Sequence, residues 1–342
     1  MTDNFLSNVW YMAGWSDDLP QGAMLARTIA ERAILFWRDD GGVVAAISDR
    51  CPHRLVPLRH GKFSHGGVAC GYHGLTFDRN GHCIVNPSGP VTSALHIASF
   101  PCEERHKAIW VWAGDRDQAD VDLIPDLSFI ERAPRHAISK GYMHMAAGHQ
   151  LLVDNILDLS HADYLHPDTL GGGSISRSRP AVARLDHSRV SVTWTARDEP
   201  PLPIMRDDLE NKRVDMETQV VWHPSGVMPL SISVTPVDGE TPGIATVNAH
   251  VMTPETSQTT HYFHCNSRNF RTEDAAYNEH RAAAIRRAFE FEDKPMVEAQ
   301  QRQIGPVNLL TLGPALLLID KASVLVRRIY DELVEVELGG RV

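Results

Sequence analysis

Four residues stand in a pattern able to hold a redox cofactor: Cys51 and His53 in Cys51-Pro52-His53-Arg54, and Cys70 and His73 in Cys70-Gly71-Tyr72-His73-Gly74. The C-x-H and C-x2-H pairs are sixteen residues apart. Two thiolates and two imidazoles from two loops are the set that holds a [2Fe–2S] cluster with one iron on sulfur and the other on nitrogen. Nitrogen ligation raises the potential well above that of an all-thiolate cluster and makes the group a one-electron relay. Pro52 stiffens the first loop, while Gly71 and Gly74 permit tight turns whose N–H groups can bond cluster sulfides. Zn²⁺ also takes two Cys and two His, but the ligands here alternate Cys-His, Cys-His, whereas the common finger places a Cys pair before a His pair. Cys83, Cys102 and Cys265 have no comparable His partner and are expected as buried small hydrophobes.

A second constellation lies in Asp154-Asn155-Ile156-Leu157-Asp158-Leu159-Ser160-His161-Ala162-Asp163-Tyr164-Leu165-His166-Pro167. His161 and His166 are five residues apart, about 140° of net rotation on a 3.6-residue helix. Both face one metal only if the helix loosens or ends there, and Pro167 favours an ending at His166. Two imidazoles plus one carboxylate make the facial triad that leaves open positions on Fe(II) for O₂ and substrate. The candidate carboxylate is Asp293, in Glu290-Phe291-Glu292-Asp293-Lys294, although spacing alone leaves Glu290, Glu292 and Glu298 open. Asp158, three residues before His161, is placed to orient a ligating imidazole rather than to ligate. Asn155, three residues further back, either approaches the metal or satisfies local backbone. Taken alone, a helix with two His and several Asp is more often a solvated face; the neighbouring redox constellation favours the metal.

The elements that must position these groups differ between the two halves. From Met24 to Trp112, short apolar runs are punctuated by turn words such as Asp39-Asp40-Gly41-Gly42, Arg79-Asn80-Gly81 and Pro87-Ser88-Gly89-Pro90, which predicts a small all-β domain of hairpins. The polar stretch Asp115 to Asp122 places a boundary near residue 120, giving domains 1–120 and 121–342. The second domain opens with a predicted helix over 148–165, followed by period-two segments at 190–197, 217–222, 231–237 and 245–252. Such alternation argues for half-buried antiparallel strands with one covered face. Helices are predicted over 272–303 and from Pro314 or Ala315 to about Val336. An antiparallel sheet covered by helices makes the fold α+β.

Composition narrows the partners. The chain has 342 residues, 33 Lys+Arg against 43 Asp+Glu and a formal charge of −10, the wrong sign for a protein held to nucleic acid or anionic lipid. Apolar stretches such as Ala315 to Ile319 are far short of a membrane helix, and the start Met1-Thr2-Asp3-Asn4-Phe5 is expected to carry no basic-then-apolar leader. A cytoplasmic location is expected, with no nucleic-acid and no membrane partner. The odd cysteine count argues against a disulfide framework.

With both constellations in view, the sequence resembles the oxygenase component of the Rieske non-haem iron oxygenases, from Asn8-Val9-Trp10-Tyr11 to the C-terminal helices. The motifs are CPHR, CGYHGLTF, LLVDNILDLSHADYLHP, HVMTPET and Asn266-Ser267-Arg268-Asn269-Phe270, and they are most similar to the vanillate and dicamba O-demethylase branch. The resemblance implies an all-β Rieske domain followed by a helix-grip catalytic domain, a [2Fe–2S] cluster on Cys51, His53, Cys70 and His73, and a mononuclear Fe(II) on His161, His166 and Asp293. It also implies a head-to-tail homotrimer in which Asp158 bridges His73 of one chain and His161 of the next. Implied chemistry is insertion of one oxygen atom of O₂ into a C–H bond of a small aromatic; on a methoxy group the product collapses to a phenol and formaldehyde. Methyl or ring hydroxylation uses the same site, and a non-catalytic electron carrier with a ligand-binding domain is the alternative of a different class. His250 matches a position that contacts a substrate polar group; a buried structural His is the competing assignment. Met228-Pro229-Leu230-Ser231 is apolar where relatives carry Asn, which argues against a dicamba-like acid, and the Gly171-Gly172-Gly173 loop is either a lid or a turn. No G-x-G-x-x-G loop after a strand and no plant-type C-x4-C-x2-C is present, so a separate reductase or ferredoxin must deliver the electrons of NAD(P)H. Anaerobically purified protein is expected to contain about three irons and about two acid-labile sulfides per chain; about two irons that added Fe(II) does not raise indicate the carrier, and one zinc without sulfide indicates a zinc-stabilised domain.

Overall fold

The computed structural model describes residues 5–64 and 66–339, so the opening Met1-Thr2-Asp3-Asn4 lies outside the described residues. Two compact units divide the chain, Phe5–Asp126 and the residues from Leu127 onward. The break falls beyond residue 120 because Asp120 and Val121 are tied back into the first unit. Their carbonyls accept hydrogen bonds from Trp10 Nε1 and Arg105 Nη1, each at 2.8 Å. Among the described residues no helix is long and apolar enough to cross a membrane.

The first unit is all β, built of three small antiparallel sheets. Trp10–Trp15 pairs with Ala108–Trp112, which pairs with Cys102–Arg105; Met24–Ile29, Arg32–Arg38 and Val44–Ser48 form a second sheet; four short strands between Lys62 and Val85 form the third. Alternation in Arg32–Arg38 drives two cores at once. Ile34 and Phe36 pack with Tyr11 and Ile109, while Leu35 and Trp37 pack with Leu58 and Phe77. Cys51, Cys70 and Cys83 belong to the second of these cores. Cys83 and Cys265 are buried, whereas Cys102 is only partly so and donates its thiol hydrogen to the Val44 carbonyl at 3.1 Å.

The second unit is α+β. Its sheet has seven antiparallel strands in the order Ile138–Met145, Thr259–Arg268, Ile244–Thr256, Val227–Pro236, Val214–Trp222, Val190–Glu199 and Ala181–Arg184. The first strand in sequence closes one edge by pairing with the last. Val214, Met216, Thr218, Val220 and Trp222 are all buried on one strand, as half-covered alternation requires.

Three helical expectations are corrected. The segment predicted as one helix over 148–165 is a helix only over His149–Leu157; Asp158 then leaves the helical region and its carboxylate accepts from Ser160 N, starting a short 3₁₀ turn, Leu159–His161, before Ala162–Leu165. A side chain that caps a new turn competes with continuation of the old one. The stretch predicted over 272–303 begins with Asp274 capping Ala275–Arg287, passes through a π-helical turn, Ala288–Asp293, and resumes as Lys294–Ile304. Pro295 has no N–H to return to the Phe291 carbonyl, and Lys294 N–H reaches back five residues to Phe289 O. The last helix starts at Lys321 rather than near Ala315, because Gly313 is left-handed and Leu317 is extended ahead of the Leu318–Asp320 turn.

The helices are fastened where the catalytic constellation begins. Arg327 of the last helix, nearly fully buried, donates to Asp154 at 2.5 and 3.0 Å and to Gln150 at 2.6 Å. Burial pushes the Asp154 carboxyl upward, and the guanidinium opposes that shift. Arg327→Met leaves the Asp154 charge buried without its partner and is expected to cost about 3–5 kcal/mol of stability, measured by denaturant unfolding of the intact chain.

Candidate metal centres

The two cysteine loops are folded alike. In the first, Cys51 N–H donates to Val56 O at 3.0 Å and Leu55 N–H to Cys51 O at 2.9 Å; in the second, Cys70 N–H donates to Leu75 O at 2.8 Å and Gly74 N–H to Cys70 O at 3.0 Å. The fifth residue of each loop is left-handed, Leu55 at φ 59° and Gly74 at φ 76°. Each loop therefore presents a buried sulfur and, two or three residues later, an exposed imidazole. The His53 and His73 rings stand 4.6 Å apart, edge to face, and Tyr72 lies 4.0 Å from His73. Burial foremost, and the adjacent Cys70 thiol as well, raise the Cys51 thiol despite backbone N–H groups that stabilise a thiolate. Gly71 is obligatory in the second loop, since a Cβ there falls 2.6 Å from the His60 carbonyl. Buried sulfurs on one side and paired imidazoles on the other suit a two-iron group with different ligands at its two ends.

Among the described residues, one group of three or more metal-capable side chains converges to within 4.8 Å: His161, His166 and Asp293. His166 Nε2 and His161 Nε2 lie 3.2 and 3.4 Å from the same oxygen, Asp293 Oδ1. Each imidazole is aimed by its other nitrogen, His161 Nδ1 donating to the Asp158 carbonyl at 2.5 Å and His166 Nδ1 to Glu292 at 2.6 Å. Burial works against the Asp293 carboxylate, but hydrogen bonds from both imidazoles outweigh it and hold the pKa at about 2. For His166 burial works against the charged form, and Asp293 followed by Glu292 raises its pKa in spite of it. Two neutral-capable nitrogens and one ionised oxygen on one side, with a cavity on the other, are the donor set a divalent iron takes.

Interruption of the helices is what makes this convergence possible. The 3₁₀ turn after Asp158 brings His161 and His166 together, with ring centroids 5.4 Å apart. The π turn delivers Asp293 from the other side. Asn155 donates to Asp293 Oδ1 at 3.2 Å. Asp158 orients His161 through its main-chain carbonyl, while its carboxylate caps Ser160. Of the carboxylates left open by spacing, Glu292 holds the far nitrogen of His166, and Glu298 accepts from Ala146 N. Glu292 was legible only as one of several acids; its task depends on the π turn.

The triad lies at a cavity of about 870 Å³, mouth included, between sheet and helices. Its walls are mainly apolar, with Ile156, Leu159, Leu202, Leu230 and Phe289 among them, and His250 and His264 are two of its few polar groups. His250 is buried, Nδ1 lies 2.6 Å from the Tyr262 hydroxyl, and burial first, then His264, lowers its pKa to about 3. Leu230 faces the cavity and Met228 sits directly opposite His250, so the apolar departure at 228–231 borders this site. The Gly171-Gly172-Gly173 loop is fastened, because Gly172, Gly173 and Ser176 N–H groups all donate to the Asp163 carboxylate at 2.7 to 2.9 Å.

Residues 9–101 match the Rieske [2Fe-2S] domain family, and residues 145–336 match the vanillate O-demethylase oxygenase C-terminal domain family. The chain is 33% identical to the chloroacetanilide N-alkylformylase oxygenase component of Rhizorhabdus wittichii, over 97% of each protein. It is 34% identical to the dicamba O-demethylase oxygenase component of Stenotrophomonas maltophilia, over 97% of this chain and 99% of that one. A crystal structure of dicamba monooxygenase bound to 3,6-dichlorosalicylic acid superposes with a TM-score of 0.89 at 34% identity, covering 98% of this chain and 99% of that one. Another, with non-heme iron and dicamba, gives 0.81 at 32% identity with the same coverage. A cluster-binding β unit followed by a helix-covered antiparallel sheet is the architecture of a Rieske monooxygenase. The chain belongs to the vanillate O-demethylase oxygenase family of these enzymes. It is the oxygenase component of a multi-component system and receives its electrons from a separate protein. Glu292→Ala is expected to weaken mononuclear iron binding about 10–100-fold while leaving the visible cluster spectrum unchanged, as read by Fe(II) titration of the iron-depleted protein.

Proposed function

We propose that this oxygenase component demethylates a methoxy-aromatic, with His161, His166 and Asp293 holding a mononuclear Fe(II) and Cys51, His53, Cys70 and His73 holding the [2Fe–2S] cluster. The observation that carries the proposal is the convergence of two imidazoles and one carboxylate at the end of an apolar cavity. Relatives that are O-demethylases by name support the reaction class. When bound, the iron supplies O₂ activation and the cluster supplies electrons, so that one oxygen atom enters a substrate C–H bond and the other leaves as water. If that bond belongs to a methoxy group, the product is a hemiacetal, which breaks its C–O bond to give a phenol and formaldehyde.

The protein's own residues prepare this reaction in three ways. The Asp158 carbonyl and Glu292 accept from the two Nδ1–H groups, so that metal binding would displace only the Nε2 protons that face Asp293 and leave both Nε2 atoms directed at one point. Asp293 remains ionised throughout the physiological range, since its pKa is held at about 2. Ile156, Leu159, Leu230 and Phe289 exclude water from the face on which an aromatic ring would lie.

The division of labour follows the chain, with the N-terminal unit receiving electrons and the C-terminal unit oxidising substrate, near the 1–120 and 121–342 domains. On the strength of the family resemblance we assign the working assembly as a cytoplasmic homotrimer in which Asp158 bridges to His73 of the neighbouring chain; closed head-to-tail contacts of one kind build such a ring. The electron donor is a separate reductase or ferredoxin using NAD(P)H. His161→Ala is expected to lose the mononuclear iron and at least about 100-fold in formaldehyde release with the cluster spectrum intact, and retained turnover overturns this ligand. Asp158→Asn is expected to keep both metals but slow single-turnover oxidation of the reduced cluster; an unchanged rate removes the bridge.

A further inference from the structure

Strand register rules the cavity face of the sheet. Met228, His250, His264 and Gly141 stand opposite one another in one row, and Leu230, Asn248 and Asn266 in another. Residues two apart on a strand share a face and lie roughly 6–7 Å from each other, so His264 and Asn266 present adjacent polar groups to the cavity they both line. Phe289, one helical turn before Asp293, meets His264 edge to face at 5.1 Å and His250 at 5.7 Å. Both imidazoles are therefore close to the end of the cavity where the triad lies.

These polar groups have capacity to spare. His264 is partly exposed and has no hydrogen-bond partner among the described residues. Its ring occupies the space above Gly141, where a Cβ would stand 2.2 Å from His264 Nε2. The Asn266 amide donates to Asn248 Oδ1, and Asn248 donates onward to the Leu230 carbonyl, which leaves Asn266 Oδ1 as an acceptor toward the cavity. The Tyr262 hydroxyl occupies His250 Nδ1 at 2.6 Å, which leaves Nε2 as the ring nitrogen open to a ligand.

The row itself carries no charged side chain. Burial first, then the Arg286 charge, lowers His264 to about 4, so both imidazoles are neutral near pH 7. Arg281 also lines the cavity, twelve residues before Asp293 and so about 18 Å from it along a helix axis; its Nη1 donates to the Ile204 carbonyl and the Tyr277 hydroxyl, and its Nε is buried without a partner among the described residues. A carboxylate on this row gives up its water without a countercharge from the row itself, whereas an uncharged polar group needs only the hydrogen bonds that are offered.

We propose that His264 and Asn266 determine specificity, forming with His250 a hydrogen-bonding rail for an uncharged polar substituent such as a phenol, ether or amide, and that the site prefers such aromatics to aromatic carboxylates. The proposal deepens the demethylase reading and rests on it. Its test is calorimetric titration of the iron-loaded enzyme with 2-methoxyphenol, 2-methoxybenzamide and 2-methoxybenzoate at pH 7.5, with formaldehyde release measured in parallel. The neutral compounds are expected to bind at least about tenfold more tightly than the benzoate, and His264→Leu and Asn266→Leu each to weaken them about tenfold. Gly141→Ala, which displaces the ring but keeps the imidazole, is expected to give a similar loss with an unchanged cluster spectrum. His264→Gln, which retains a hydrogen-bonding group, is expected to recover part of the affinity and serves if the leucine variant does not fold. Equal or tighter binding of the benzoate overturns the proposal, as do variants that bind and turn over the neutral compounds like wild type, and both results leave the demethylase reading standing. Binding and demethylation of none of the three removes that reading and the rail together.

Discussion

A single carboxylate oxygen, Asp293 Oδ1, gathers the groups around which the second unit is arranged. His161, His166 and Asn155 all direct a nitrogen to it from within 3.2 to 3.4 Å, and the residue is buried. An ionised carboxylate removed from water is tolerated only when such partners surround it. Each partner is in turn held: His161 by the Asp158 carbonyl, His166 by Glu292, and the helix that carries Asn155 by the Arg327–Asp154 pair. The strain of bringing three elements together is met by helix geometry that departs from the ideal at Asp158 and at the π turn. Both departures sit at the site, where irregular helix is most often found.

The two units solve different physical problems. The first must bury sulfur and expose nitrogen, and does so with two loops of one design, each closed by the same pair of backbone hydrogen bonds and a left-handed fifth residue. Gly74 meets that conformation without cost, whereas Leu55 adopts it with a side chain. The second unit must keep water from a reactive site and still offer direction to a substrate. An apolar wall interrupted by a few imidazoles and amides meets both needs, because hydrogen bonds strengthen when water is excluded.

Much of this is legible in the sequence. Residue types and spacing at Cys51, His53, Cys70, His73, His161 and His166 point to metal without help from the fold, since few other tasks require those side chains in such patterns. Period-two alternation at 190–197 marks a strand with one covered face, whereas the strand that holds 245–252 alternates only as far as Asn248 and is buried on both faces beyond it. The edge strand Ile138–Met145 carries weaker alternation and shows its place only by pairing with Thr259–Arg268.

The sequence alone determined the chemistry available: which side chains can bind metal, which segments must alternate, and that charge and composition favour a small-molecule partner. Those properties reside in residue identity and local period. Tertiary structure alone decided which of four carboxylates meets both imidazoles, that a backbone carbonyl rather than a side chain aims His161, and that His264 and Asn266 share a wall with His250. Each of these depends on the turn of a broken helix or on the register between strands distant in sequence, and neither is encoded in the spacing of residues along a single segment.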